Sequence, residues 1–312
     1  MRQNGNHIIL NPKAGNGKAK QVLSALKKLL HSKNNNTIIH LTKARGDATR
    51  LAQRLIKAGA LRIIAAGGDG TVNEVLNGFF YNGRLSNSEC ELGIIKCGTG
   101  QGLALSLNLP DSLDEQLDLI FNSPAQKLDV GKILYTGFNN QQSTRYFISE
   151  SQVGIGSVIA GQVHNGFNFL NGKTAFAVVS LKQALVFKSI PFTVTIDDKL
   201  FTKKYIGIAF GNGSLTAGGM QVTPGARPDD GLFNVLFIHQ MDLLHRLVNL
   251  SKMYSGSHIL TPWFTYVSGK SIQVDCEHET TVSVDGELIG KTPCMVSVIP
   301  SAIKVKSNFH QN

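Results

Sequence analysis

The chain has 312 residues, 42% hydrophobic and 17% charged, which is ample material for two packed cores at roughly 100–200 residues per domain. Its formal net charge of +10 and pI near 9.4 suit an acidic partner: a nucleotide, a nucleic acid or an anionic membrane surface. No apolar run reaches the roughly 18 residues of a spanning helix, and His7–Leu10 is too short for a signal-peptide core. Four scattered cysteines with no CxxC pair read as reduced thiols of a cytoplasmic protein.

The first third alternates strand and helix signals. His7–Leu10 reads as a strand that runs into the loop Asn11-Pro12-Lys13-Ala14-Gly15-Asn16-Gly17, and a helix follows with Val22, Leu23, Leu26, Leu29 and Leu30 on one face. Thr37–Leu41 is a second strand. Asp47 is placed to cap a helix carrying Leu51, Leu55 and Ile56, which Gly59 ends. Leu61–Ala66 is a third strand leading into Gly67-Gly68-Asp69-Gly70, and the next helix turns Val72, Val75, Leu76, Phe79 and Phe80 inward. Leu92–Lys96 is a fourth strand, closed by Gly98-Thr99-Gly100. Such alternation implies a parallel sheet covered by helices, with ligands bound beyond the carboxyl ends of the strands.

After about Leu128 extended segments dominate: Arg145–Ser149, Phe192–Ile196, Ile206–Phe210, Phe233–Ile238, Ser271–Val274, Thr281–Val284 and Met295–Ile299. Turn residues such as Asp197-Asp198, Gly211-Asn212-Gly213 and Asp285-Gly286 separate them, which predicts a β-rich second domain. Two helical interruptions are expected, near Thr174–Phe187 and Met241–Tyr254. The division falls at residues 1–130 and 131–312.

Three glycine-bearing loops at the ends of three strands of one sheet point to a polyphosphate ligand. Glycine lets backbone N–H groups approach phosphate, and a following helix N-terminus favours negative charge. None is a P-loop: Gly17-Lys18 lacks the following Ser or Thr, and position 12, where the first glycine would fall, is Pro12. The glycines at 98, 100 and 102 depart from the dinucleotide fingerprint in spacing and in following a fourth strand rather than a first.

The run GGDGTVNEVLNG (Gly67–Gly78), with NPKAG upstream, KCGTGQGLALSLNLP (Lys96–Pro110) downstream and VDGE (Val284–Glu287) near the end, resembles the diacylglycerol-kinase catalytic family, which includes bacterial lipid kinases and the sphingosine and ceramide kinases. The resemblance covers nearly the whole chain. It implies an N-terminal α/β nucleotide domain followed by a C-terminal β-sandwich, and an ATP-dependent, magnesium-requiring lipid kinase working at an anionic membrane surface without a spanning segment.

Residue by residue, the resemblance places ATP against Asn11, Pro12, Lys13, Ala14 and Gly15, against Thr42, along Gly67, Gly68, Asp69, Gly70, Thr71, Val72, Asn73 and Glu74, and at Gly98 and Thr99. Asp69 is an acceptor for magnesium or its waters beside phosphate, or a helix cap. Asp129 in KLDVG matches an aspartate of the magnesium–water network. In VTPGARPDDG, the Asp230 side chain with the carbonyls of Arg227 and Leu232 matches a second, structural magnesium site, where spacing alone reads as an ordinary turn. Asp285 and Glu287 match the carboxylates that activate the acceptor hydroxyl, although Asp-Gly between strands is also a hairpin signal.

Where many bacterial members carry GTxNDFAR, this chain has Gly102 and Leu105 in place of the aspartate and arginine, closer to the sphingosine-kinase pattern. Two other readings follow. An NAD kinase shares GGDGT, but its TPxGSTAY-like segment is missing; a catalytically impaired lipid-binding homologue would account for Gly102 and Leu105 but not for the carboxylates at 69, 129, 285 and 287. Cys276 and His278 lack further ligands for zinc, and Phe167-Asn168-Phe169-Leu170 beside Lys173, Lys182 and Lys188 reads as either a membrane-facing surface or core.

Overall fold

The computed structural model describes residues 5–33, 35–97, 102–166, 172–216 and 218–309. The chain divides into two compact units, one made of Met1–Leu128 with Ser301–Asn312, the other of Asp129–Pro300.

In the first unit the order is β1 (Asn6–Leu10), α1 (Lys18–Ser32), β2 (Ile38–Leu41), α2 (Asp47–Lys57), β3 (Arg62–Gly67), α3 (Asp69–Gly78), the short pair β4 (Phe80–Tyr81) and β5 (Arg84–Leu85), β6 (Glu91–Lys96), α4 (Gly102–Ser106) and α5 (Leu113–Asn122). The long strands are all parallel, in the spatial order β2-β1-β3-β6. Alternate side chains serve opposite faces. Ile8, Leu10, Ile64, Ala66 and Ile95 pack against Leu26 and Leu30 of α1 and Leu117 and Ile120 of α5. Ile9, Ile63 and Ala65 are equally buried on the other face, where α2 and α3 pack on β1 and β3. Helix α5 starts on Ser112, whose hydroxyl accepts the Glu115 amide at 3.2 Å.

The second unit contains β7 (Gln126–Thr136, entered from the first unit), β8 (Gln142–Phe147), β9 (Glu150–Gly154), α6 (Ile155–Gly166), α7 (Gly172–Val186), β10 (Ile190–Ile196), β11 (Lys199–Gly211), β12 (Phe233–His239), α8 (Leu243–Ser255), β13 (Phe264–Gly269), β14 (Ser271–Cys276), β15 (Thr281–Val284) and β16 (Glu287–Val305). This is the expected β-sandwich. Strand β11 pairs with β10 and β12 and, in its second half, with β9; β9 pairs with β15, and β15 with β16. Val235 and Phe237 of β12 enter the main core with Phe147, Phe192 and Phe210, whereas Leu236 between them enters a second core under α6–α8. Both faces of the second half of β11, Tyr205–Gly211, and of β12 at Val235–Phe237 are therefore buried, which is why these stretches are apolar runs, whereas the first half of β11 is mostly exposed and carries Lys199, Lys203 and Lys204.

Two features differ from the sequence reading. Residues 155–166 form a third helix where only two were expected. Its three glycines and β-branched residues are poor helix formers, yet packing accounts for two of the glycines: a Cβ on Gly156 would collide with the Gln152 side chain, and one on Gly161 would lie 3.2 Å from Leu288 Cδ2. The final residues also return to the first unit. Lys304 and Val305, at the end of β16, pair in parallel with Glu91 and Leu92 of β6.

Candidate active site

The register of the parallel sheet brings the carboxyl ends of its strands to one rim. Leu10 lies opposite both Leu41 and Ala66, and Gly67 opposite Lys96, so Asn11, Thr42, Gly68 and Cys97 each follow a strand end. The strand order switches sense between β1 and β3, from which the connections run outward in opposite directions. Such a switch point leaves a crevice for ligand, here between Asn11 and Gly67-Gly68.

Side chains tie these loops together. Asn11 Nδ2 donates to Thr71 Oγ1 at 3.3 Å, and Asn11 Oδ1 accepts the Lys13 amide at 3.0 Å. Gly15, at φ +64°, sits so close to the Cys97 carbonyl that no Cβ fits, which holds the first loop against the end of β6. Gly67 has the same requirement, since a Cβ there would occupy the space of the Thr71 side chain. Gly68 differs: at φ −93° and ψ −177° it is extended backbone, open to any residue conformationally, and it is the N-cap of α3. Asp69 is the first residue of the helix, one position after the cap. The Thr71 and Val72 amides donate to the Gly68 carbonyl at 2.9 and 3.1 Å, and the N-terminal end of α3, with its helix dipole, suits an anion.

The rest of the motif turns inward. Val72 and Asn73 are buried, and Asn77 Nδ2 donates to the Asn73 carbonyl at 2.8 Å. Glu74 clamps the start of α2, its carboxylate accepting the amides of Gly46 (2.8 Å) and Ala48 (3.2 Å) while its carbonyl accepts the Thr49 hydroxyl (2.8 Å). Asp47, expected as the cap of α2, accepts instead the preceding amides of Lys43 and Ala44, and Gly46 is the N-cap. Thr42 donates its amide to Leu10 O at 3.0 Å, while Pro12, Lys13 and Ala14 line the first loop. Gly98 and Thr99 lie outside the described residues, as do Phe167–Leu170. Burial pushes the Cys97 thiol up to about 12.

In the second unit Asp285 and Asp129 lie along one hydrogen-bond chain. Asp285 and Gly286, at φ +45° and +78°, are the two central residues of the β15–β16 hairpin, so the turn reading of VDGE is correct as geometry. The turn is also pinned by its aspartate: Asp285 Oδ1 accepts the amides of Ser149 (3.0 Å) and Glu150 (3.1 Å), and its own amide donates to the Glu150 carbonyl at 2.9 Å. The Ser149 carbonyl accepts the amides of Asn212 and Gly213, both at 2.9 Å. Asn212 Nδ2 donates to the carbonyls of Ile148 (2.7 Å) and Asp129 (3.1 Å). Asp129 Oδ2 then accepts the Gly231 amide at 2.6 Å, and its amide donates to Pro228 O at 2.7 Å.

Asp129 thus anchors the loop that carries Arg227, Asp230 and Leu232. The guanidinium of Arg227 pairs with Asp229, and Asp230 Oδ1 accepts the Leu232 amide at 2.9 Å. Glu287 points elsewhere, with its carboxylate 3.2 Å from Arg145 Nη2. Asn212 and Arg145 were not anticipated as site residues. The signal for Asn212, a lone asparagine between two glycines after an apolar strand, reads as a plain turn. Among the described residues no three His, Cys, Asp or Glu side chains cluster to hold a metal ion. The oxygen-only donor set offered by Asp69, or by Asp230 with neighbouring carbonyls, still fits magnesium, which binds through one or two carboxylates together with phosphate and water.

Beside this chain lies an apolar cavity of about 80 Å³, walled by α6, α7, α8, β11 and β12 and lined by Ile155, Ile159, Phe176, Ile206, Met220 and Met253 among others. Its few polar lining groups include Gln152, whose Nε2 donates to Glu150 Oε2 at 2.6 Å; the Glu150 amide is one of the two held by Asp285.

Two family models match the chain: the diacylglycerol kinase catalytic domain over residues 6–133, and the YegS C-terminal NAD kinase beta sandwich-like domain over residues 151–307. A diacylglycerol kinase of Staphylococcus haemolyticus is 29% identical over 286 residues, covering 92% of this chain and 83% of its own. One from Staphylococcus saprophyticus is 28% identical, with coverage of 92% and 90%. Among solved structures, a diacylglycerol kinase of Bacillus anthracis superposes with a TM-score of 0.70 at 22% identity, over 98% of this chain and 97% of that one. A yeast NADH kinase complexed with NADH gives 0.54 at 11% identity, over 97% and 83%. At such identities the structural likeness speaks for the fold alone.

Proposed function

The chain belongs to the diacylglycerol kinase catalytic-domain family, whose members imply a kinase, and from that premise we propose that it transfers the γ-phosphoryl group of ATP to a lipid hydroxyl. The observation that carries the lipid acceptor is the apolar cavity under α6–α8, one of whose polar lining residues, Gln152, is joined through Glu150 to Asp285. An apolar tail suits such a lining, and Gln152 links it to the carboxylates proposed to act on the acceptor hydroxyl.

On this reading the first unit supplies the nucleotide site and the second the lipid site. ATP phosphates rest on the loops Asn11–Gly15 and Gly67–Thr71. The acceptor O–H gives its proton to Asp285 or Glu287, its oxygen bonds to the γ-phosphorus, and ADP leaves. Such transfer rests on positioning and on offsetting charge. Magnesium, when bound, neutralises phosphate charge; Asp69 would hold it at the nucleotide, and Asp230 with the carbonyls of Arg227 and Leu232 would hold a structural ion on the loop that Asp129 anchors. Asp129 itself contributes by fixing that loop through the Gly231 amide. Peripheral attachment to an anionic membrane fits the +10 charge and, among the described residues, the absence of any helix long and apolar enough to cross a bilayer.

Filling the cavity tests the acceptor assignment. Ala184→Phe and Ser180→Leu, both at lining positions, are expected to raise the KM for a long-chain acceptor or abolish transfer, with ATP affinity unchanged. Lipid kinetics equal to wild type in both folded variants would contradict it.

A further inference from the structure

The helices that wall the cavity carry a second apolar surface on their outer sides. Leu181 and Leu185 of α7 are exposed, as are Leu244, Leu247 and Val248 of α8, and Leu260 just beyond α8 is 83% exposed. Within each helix these residues follow the 3–4 residue spacing of one face. The two helices pack on each other, and Arg246 in the first turn of α8 donates to the carbonyls of Ala184 (3.2 Å) and Phe187 (2.7 Å) at the end of α7. Its charge is spent on the α7 terminus, so the apolar residues on either side form one neighbourhood.

A basic groove borders this face, lined by Lys203, Lys204, His239, Gln240, Pro262 and Trp263. The Trp263 ring stands 4.8 Å from that of His245 in the first turn of α8, joining groove to helix. Carboxylates are few here: residues 151–196, 199–228 and 243–274 contain no Asp or Glu and hold Lys182, Lys188, Lys203, Lys204 and Lys252, while Asp242, the N-cap of α8, lies 2.8 Å from His245 Nδ1. Exposed leucines, an indole at the boundary and a surplus of lysines over acids describe a surface that lies on an anionic bilayer.

We propose that the outer face of α7 and α8, with Leu260 and the Lys203–Lys204–Trp263 groove, docks on an anionic lipid bilayer, with the leucines in the acyl boundary and the lysines among the headgroups. The proposal rests on the lipid-acceptor reading above and names the surface through which that acceptor is approached. Charge complementarity favours lipid over a second copy of this chain, whose matching face would bring like charges together.

Trp263 is the single tryptophan of the chain, so it reports from the proposed interface. Vesicles of phosphatidylglycerol and phosphatidylcholine should shift its emission to the blue, and brominated phospholipid should quench it; phosphatidylcholine alone should do neither. Leu244→Asp/Leu247→Asp and Lys203→Glu/Lys204→Glu, all at exposed positions, should each lower vesicle affinity about tenfold or more with unchanged circular dichroism. Vesicle binding without any tryptophan change, or at wild-type affinity in both variants, would place docking elsewhere and overturn the proposal. So would a blue shift that grows with protein concentration in vesicle-free buffer together with dimer formation, which would assign the face to a second copy. These readouts need no turnover: a wild type that binds anionic vesicles in this way yet phosphorylates no lipid upholds the surface and overturns the kinase reading.

Discussion

The side-chain amide of Asn212 donates to the main-chain carbonyl of Asp129 at 3.1 Å, and through that bond the strand-end loop after β11 is joined to the strand that carries Asp129. Asn212 is fully buried and its other donor contact, to Ile148, is also to backbone. Asn212→Leu would leave both carbonyls without this donor in a buried setting. Leaving buried polar groups unpaired costs about 1–3 kcal/mol. Urea unfolding is expected to show a loss of that size; wild-type stability would mean the chain of bonds from Asp285 to Gly231 is not a structural unit.

The two glycines of the nucleotide loop are expected to behave differently. Gly67→Ala presses a methyl group on the Thr71 side chain and should lower the melting temperature. Gly68→Val meets ordinary extended backbone at a half-buried position, so it should leave the fold intact while blocking phosphate approach. Calorimetric titration with ATP and magnesium checks both, and wild-type ATP affinity in Gly68→Val would remove the phosphate role of this loop. Asp69→Asn should weaken nucleotide binding only when magnesium is present.

Asp285→Asn keeps an amide oxygen that can still accept from Ser149 and Glu150, so the hairpin should survive. Glu287→Gln keeps a neutral hydrogen bond to Arg145. A positioned general base contributes roughly 10²–10⁴-fold, so whichever carboxylate takes the proton should show a rate loss of that order, with ATP affinity nearly unchanged. Steady-state kinetics on the best lipid decide; near-wild-type rates in both variants would leave VDGE as a turn alone.

Stability should fall on mild acidification. Burial holds His258, His40 and His239 below the ordinary histidine value of 6.5. Because their folded pKa values are depressed, the unfolded chain binds protons first. Their contribution is fully present above about pH 6.5 and is lost as pH falls through the folded values. Melting temperature should therefore drop between about pH 7 and 5. The carboxylates of Asp47, Glu89, Asp111 and Asp242, also depressed by hydrogen-bond partners, add their loss only below about pH 4. A flat profile from pH 7 to 5 would contradict the burial of these rings.

Much of the first unit was legible because its signals are local. Apolar strands separated by amphipathic helices, and glycines at strand ends, arise from neighbouring residues, and Asn11, Gly67 and Gly68 do meet at one rim. What was not legible is the product of tertiary contact. Helix α6 has glycines that look like helix breakers until Gln152 and Leu288 are packed against them. Glu74, in the most specific part of the motif, is turned to the start of α2 by the amides of Gly46 and Ala48. Asp285 and Glu287, two residues apart, take different partners because the turn at Gly286 separates them: the Ser149 and Glu150 amides for one, Arg145 for the other. Neither Arg145 nor Asn212 carries any local mark of its role.

The most direct test of the central claim is a transfer assay with γ-labelled ATP and magnesium, run against diacylglycerol, sphingoid and related lipids dispersed in detergent, with NAD as the competing acceptor. The account predicts label in a lipid, none in NAD, and loss of the lipid signal in the Ala184→Phe variant that fills the apolar cavity. Label in NAD with none in any lipid would contradict it.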